Sequence, residues 1–302
     1  MSVAKKTASE LVSVQLKTLV NLAKQASLLK LHHATIRSKQ SGGFVSRLKG
    51  RGMEFDEARP YQPGDDIRSI DWRVTARTGK THTKLFREER ERPVFISVDN
   101  RPAMHFATRG VFKSVQTAKI AALLAWTAQQ QGDRIGGQVF TDKHCQEIKP
   151  QNGKHGVLRF FNTLLKTSTA KEQEMTLEHA LARLFQHARP GSRVYIISDF
   201  RGFERNEKSQ KTENHLARLS RHCEVILIHM YDPLESHLPE KGRYRFTNED
   251  RDVVIDTSDN QRLLKYQQHY QERVDYLQQM SKKLGLAFLQ CSTTDDPFEV
   301  LR

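Results

Sequence analysis

From Pro93 onward the chain repeats one unit, a short and nearly unbroken apolar run followed by a longer stretch with helical spacing. The clearest runs are "PVFISVD" (93–99), "SRVYIISD" (192–199) and "EVILIHMYD" (224–232). None alternates polar with apolar, so each predicts a strand covered on both faces. "RIGGQVFT" (134–141), "HCQEIK" (144–149) and "LAFLQC" (286–291) supply three more. Helical spacing occupies 112–131, 155–167, 177–188, 213–222 and 260–285, and "RYRFT" with "DVVID" reads as a hairpin insertion. Strands alternating with helices predict an α/β fold, a Rossmann-like parallel sheet with helices on both faces. Six such strands in doubly wound order would run 3-2-1-4-5-6.

In such a sheet, ligands bind beyond the carboxyl ends of the strands, where strand order reverses. Two runs end in an acid, Asp99 and Asp199. On neighbouring strand ends their carboxylates converge, and such a pair needs a cation or a shifted proton. A divalent metal is one answer and an arginine is another.

Upstream, the charge is uneven. Residues 1–53 hold ten Lys/Arg against one acid, Glu10, whereas 54–92 hold nine of each. Most of the formal +14 therefore sits in the N-terminal segment, 1–39 with its immediate sequel, where it could meet an acidic partner, an anionic membrane surface or nucleic acid. Ser9–Leu31 is expected to form one basic amphipathic helix capped by Ser9, with Val12, Leu16, Leu19, Ala23 and Ala26 as its apolar stripe and its own domain as the expected packing partner. His32 and His33 just beyond it have no metal-ligand spacing. Residues 40–92 are dense in turn signals, with "SIDWRVTAR" and "HTKLFRE" as extended candidates, and predict a small β-rich region ahead of a sheet domain at 93–302. No apolar run reaches the ~18 residues of a membrane span. The three cysteines, 145, 223 and 291, have no zinc or disulfide spacing and read as free thiols. These features are those expected of a cytoplasmic protein.

Strand-Asp, a following helix, a Thr opening a later helix ("MTLEHAL", Thr176) and "ISDF" together resemble the von Willebrand factor A fold. That family's first strand ends in D-x-S-x-S, whose side chains, with the Thr and the later Asp, hold magnesium. Here the stretch reads "DNRPA": Asp99 is kept, while Arg101 and Ala103 stand at the serine positions. Both hydroxyl ligands are missing and a guanidinium repels a metal, so the resemblance implies a degenerate site and no cofactor. Arg101 is expected either to bond Asp99 and Asp199 as a built-in substitute for the ion or to point into solvent.

"GRGMEFDEARPYQPGDDIRSIDWRVTARTGK" with "TKLFREERERPVFISVD" resembles the bacterial family filed as domain of unknown function fifty-eight, closely over about residues 40–200. The resemblance implies a short von Willebrand factor A-like domain behind a β-rich signature. It also implies a link to MoxR-type ATPases, a chaperone-like group thought to assist protein maturation. Within the signature, Glu54, Arg59, Tyr61, Asp65, Asp66, Arg68, Asp71 and Trp72 are the candidates for partner binding. The alternative is a scaffold of charged hydrogen bonds around an apolar body of Tyr61 and Trp72.

The expected function is a non-enzymatic adaptor or regulatory module that serves a MoxR-type ATPase and a client protein. A nucleic-acid-binding protein acting through the basic N-terminus is one rival, although aromatic interleaving is missing there. A metal-dependent hydrolase using Asp99 and Asp199 is the other.

Overall fold

Continuous burial of the central strands, on both faces, sets the architecture. In the computed structural model, which describes residues 8–29, 53–88, 92–166, 174–203, 209–239, 242–248, 251–257 and 260–302, these strands form one six-stranded sheet. Its strands are β3 (Pro93–Asp99), β4 (Arg134–Phe140), β5 (Cys145–Gln151), β6 (Arg193–Ser198), β7 (Glu224–Tyr231) and β10 (Ala287–Ser292). β1 (Met53–Pro60) and β2 (His82–Glu88) pair as an antiparallel hairpin, as do β8 (Arg243–Asn248) and β9 (Arg251–Asp256).

The sheet order is β10-β7-β6-β3-β4-β5, which is the doubly wound order expected from sequence, and the fold is a Rossmann-like α/β sheet with helices on both faces. One expectation is corrected: β5 runs antiparallel to β4. Only Thr141–His144 joins them, and so short a link makes a hairpin; a parallel crossover needs a dozen residues or more.

The helices are α1 (Ala8–Val12), α2 (Leu16–Asn21), α3 (Ala23–Ala26), α4 (Trp72–Thr78), α5 (Lys113–Gln130), α6 (Gly153–Leu165), α7 (Leu177–His187), α8 (Ser209–Ser220), α9 (Pro233–Ser236), α10 (Asn260–Leu284) and α11 (Pro297–Leu301). They cover both faces. Val94, Ile96, Val98, Tyr195, Ile197, Ile226 and Ile228 pack under α5 and α6. Phe95, Val194, Ile196, Val225 and Leu227 face the other way, under α7, α8 and α10. Each fully buried aliphatic or aromatic side chain contributes roughly 1.5–3 kcal/mol.

The N-terminal segment is not one helix. Ser13 turns its hydroxyl back to the Ser9 carbonyl at 2.9 Å, Gln15 is extended, and the run breaks into α1, α2 and α3. Such back-bonding by serine competes with the helix ladder. Ser9 lies inside α1 and does not cap it, and Leu31 lies outside the described residues, as do His32 and His33. Of the predicted stripe, Leu19 and Ala26 are buried while Val12 and Leu16 are exposed. The Trp126 indole donates to the Leu19 carbonyl at 3.0 Å and Thr127 to that of Ala26 at 3.3 Å, so the segment packs on α5.

Accordingly, residues 1–34 join 92–302 in one compact unit, and 35–91 form a second. In the second unit, "DWRVTAR" is helical rather than extended. Asp71 caps α4 by accepting from the Arg73 and Val74 amides at 3.1 and 3.2 Å. Gly79, at φ +70°, closes it in the left-handed conformation. Among the described residues no helix is long and apolar enough to cross a membrane.

Candidate functional site

The sheet's order reverses between β3 and β6, and their ends carry Asp99 and Asp199. Alternation gives the two carboxylates opposite starting faces. Asp99 follows Phe95 and Ser97, whereas Asp199 follows Tyr195 and Ile197. Ser198 therefore shares the face of Asp99, and its hydroxyl donates to Asp99 Oδ2 at 2.6 Å. Asp199 meets instead the first residue of α5, Lys113, whose Nζ lies 3.3 Å from its Oδ2.

A tight turn follows β6. Phe200, fully buried, takes φ +51°, a conformation that costs a bulky residue on the order of 1–3 kcal/mol. It directs the Phe200 amide to Ser198 Oγ at 2.9 Å and the Arg201 amide to Asp199 Oδ1 at 3.1 Å. The strain is thus located where two acidic strand ends must be held in place.

Arg101 grips Asp99 in a fork, with Nε at 3.0 Å from Oδ1 and Nη2 at 2.7 Å from Oδ2. The same Nη2 reaches Asp199 Oδ1 at 3.5 Å. Of the two expected placements, the guanidinium thus takes the bridging one. Lys113 is wholly buried and also bonds Glu235 at 2.8 Å, and Arg201 adds Glu235 at 2.6 Å. Glu235 is held in turn by a capping box: its Oε2 accepts from the Asp232 amide at 3.0 Å at the start of α9.

Three carboxylates and three side-chain cations therefore close on one another. Burial alone would raise the Asp199 carboxyl, but Lys113 and then Arg201 and Arg101 hold it below the ordinary range. For Arg101 burial works against the charge, and bonding to Asp99 more than offsets it.

Ala103 lies in a 3-10 turn, Pro102–Met104, and offers no ligand atom. Thr176 caps α7, accepting from the His179 amide at 3.3 Å, and joins no part of this network. Magnesium does not fit these residues. Its two serine oxygens are replaced, and the space beside both carboxylates is filled by a guanidinium and an ammonium. Among the described residues no cluster of three His, Cys, Asp or Glu side chains could hold a metal.

Lys113 and Glu235 were not singled out from sequence. A lysine opening an otherwise apolar helix and the D-x-x-E box at 232–235 were the available signals. Beyond the network a cavity of about 20 Å³, room for one water, is bounded by Asp199, His229, Glu235, Tyr270 and Arg273. His229 is 2% exposed, and burial pushes its imidazole down to about 4.

In the second unit, Arg59 pairs with Asp65 at 2.7 Å. The Gln62 amide first, and Arg59 after it, hold the Asp65 carboxyl below its ordinary value. Asp66 accepts from the Arg68 amide at 2.9 Å and Asp71 caps α4. Among the described residues the expected charged network thus reduces to the Arg59–Asp65 ion pair and to backbone amides donating to Asp65, Asp66 and Asp71. Tyr61 is half-buried, but Trp72 is 68% exposed and forms no apolar body. With Asp71 spent on the cap, Trp72 starts the helix with its ring outward. The side chain of Glu54 lies outside the described residues.

The model of the family described as "Protein of unknown function DUF58" matches residues 57–276. An uncharacterized protein of Mycobacterium bovis and one of Mycobacterium tuberculosis are each 27% identical over 242 residues, covering 78% of this chain and 74% of theirs. Among solved structures, an aerotolerance-related membrane protein from Bacteroides fragilis aligns over 70% of this chain and 94% of its own, at 13% identity and a TM-score of 0.45. A von Willebrand factor type A protein from Catenulispora acidiphila aligns over 50% of this chain and 35% of its own, at 12% identity and a TM-score of 0.35. With its family model spanning most of the sheet unit and most of the hairpin, the chain belongs to the DUF58 family.

Proposed function

We propose that the chain is a non-enzymatic protein-binding module whose switch-point crevice carries built-in cations where a metal-dependent relative would carry an ion. The observation that supports this is the Arg101 guanidinium lying between Asp99 and Asp199, with Lys113 behind it. Carboxylates saturated by internal donors are poor general bases and poor metal ligands, which speaks against the hydrolase reading.

The rim is different from the floor. Arg201 is half exposed, so a carboxylate of a partner can reach its guanidinium from solvent. A groove of about 820 Å³ begins at Asn100 and Pro102, on either side of Arg101, and is floored by Val98, Val115, Val139 and Leu164. Apolar floor beside a cationic rim suits a protein partner that presents an acidic residue next to apolar ones. The family resemblance alone supports a MoxR-type ATPase as that partner, in the maturation or assembly of a client.

The test is affinity purification of the tagged chain from its own cell, with and without ATP, beside the Arg201→Glu variant. A MoxR-type ATPase recovered with the parent and depleted with the variant is the expected result. Equal recovery with both removes the crevice from the reading. Recovery with neither removes the ATPase.

A further inference from the structure

The hairpin unit hides a charge asymmetry that its sequence conceals. Residues 54–92 carry equal numbers of acids and bases. In the structure the acids of the central turn region accept hydrogen bonds from their own segment, Asp71 buried, Asp65 part-buried and Asp66 exposed. Asp65 takes the Gln62 amide and the Arg59 guanidinium, Asp66 the Arg68 amide, and Asp71 the Arg73 and Val74 amides. The arginines beside them are turned outward. Arg68, Arg73 and Arg77 are all exposed, and none makes a hydrogen bond or ion pair through its guanidinium among the described residues. Next to Arg68 and Arg73 in sequence stand two large apolar side chains in water, Ile67 at 67% and Trp72 at 68% exposure. Arg73 and Arg77, four apart on α4, share one helix face.

We propose that the stretch Ile67–Arg77 is a docking surface for an acidic protein segment that carries an apolar anchor. Charge complementarity selects the occupant's sign: three unpaired guanidiniums bind carboxylates in a fork and resist a basic partner. The apolar pair selects its class. Trp and Arg are the residues that most often anchor protein interfaces. A single-stranded nucleic acid would call for successive stacking rings, whereas the second apolar group here is the aliphatic Ile67. The residues of this surface belong to the hairpin unit and include none of the crevice residues, so either proposal can fail without the other.

The probe is a short synthetic peptide of glutamates flanking a Leu-Phe pair, carrying a fluorescent label and titrated with the full chain by anisotropy. Trp72→Ala and Arg73→Glu/Arg77→Glu should each weaken binding at least ~10-fold, the arginine pair losing its effect at high salt. A peptide with Leu-Phe replaced by Ser-Ser should bind as weakly to the parent as the intact peptide binds to Trp72→Ala. A second measurement uses Trp126→Phe, which leaves Trp72 as the sole tryptophan. Its emission should be that of a water-exposed indole in the free chain and shift to the blue on adding peptide. Three results would overturn the proposal: emission already blue-shifted in the free chain, because the chain itself then covers the ring; peptide binding that ignores the Trp72 and arginine substitutions; or an oligonucleotide binding this surface more tightly than the peptide.

Discussion

Two regions of this molecule hold aspartates in short, tightly turned segments, each accepting from the amide two residues on, and differ in whether side-chain cations are added. At the ends of β3 and β6, Asp99 and Asp199 are 0% and 3% exposed, and each is met by side-chain cations. In the hairpin unit, Asp66 and Asp71 are met by backbone amides alone. The difference follows from what the chain offers locally. At the strand ends the amides of Arg101 and Arg201 also donate to Asp99 and Asp199, but both carboxylates are buried, so cations from the same turns, Arg101 and Arg201, and from far along the chain, Lys113, offset their charge. A turn opening a short helix has free amides within three residues. The first solution consumes arginine and lysine, and the second releases them to the surface. Formal charge balance in a segment therefore says little about the charge it presents.

Removing a cation from the crevice should be the most damaging change. Lys113→Met would leave Asp199 and Glu235 buried with one partner fewer, and should cost about 3–5 kcal/mol in urea unfolding, as breaking a buried pair does. Little change on that substitution would mean the crevice is wetter than its geometry indicates.

A pH effect of nearly the same size should come from His229 beside this network. Its folded value of about 4 lies below the ordinary 6.5, so the unfolded chain binds the extra proton first. Stability is therefore intact above about pH 6.5 and falls as the pH drops toward 4, by on the order of 3 kcal/mol in all. His229→Gln should flatten this part of the profile. The acid loss that persists below it belongs to carboxylates such as Asp199, whose lowered value makes its contribution disappear at still lower pH.

Arg101→Ser should cost less, roughly 1–3 kcal/mol, because Lys113 and Ser198 still attend the carboxylates. The hairpin unit should be the mildest case. Asp71→Ala removes the carboxylate oxygen that accepts from two amides at the start of α4 and should cost about 1 kcal/mol, seen as faster amide exchange at Arg73 and Val74 with the sheet unit unaffected. A loss as large as that of Lys113→Met would erase the contrast between the two regions.

The sheet was legible because its strands carry no polar interruption: "VYIIS" and "VILIHM" allow few alternatives to a doubly covered strand, and the two terminal aspartates marked where the order reverses. Direction at the edge was harder, since β5 has a mixed burial pattern and only the short Thr141–His144 link reveals its antiparallel run. Helix α4 was misread because "SIDWRV" has the β-branched and aromatic content of a strand, while one aspartate at its start decides the matter as a cap. The N-terminal helix was overextended because the Ser9–Ser13 back-bond, a local hydrogen bond, does not appear in an apolar stripe. In the crevice, Arg101 was visible as a departure from a motif. Lys113 and Glu235 were not, since their partners lie 86 and 122 residues away along the chain and only the fold joins them.

The central claim is that Arg101 and Lys113 occupy the role of an ion at Asp99 and Asp199. The most direct test is urea unfolding of the parent chain and of Arg101→Ser, each in chelator and in millimolar magnesium. The account predicts that the parent's midpoint is the same in both, and that Arg101→Ser stays destabilised in magnesium because the Lys113 ammonium still lies 3.3 Å from Asp199. A saturable rise in the parent's stability with magnesium, reaching about 2.7 kcal/mol at a hundredfold excess over the dissociation constant, would contradict it.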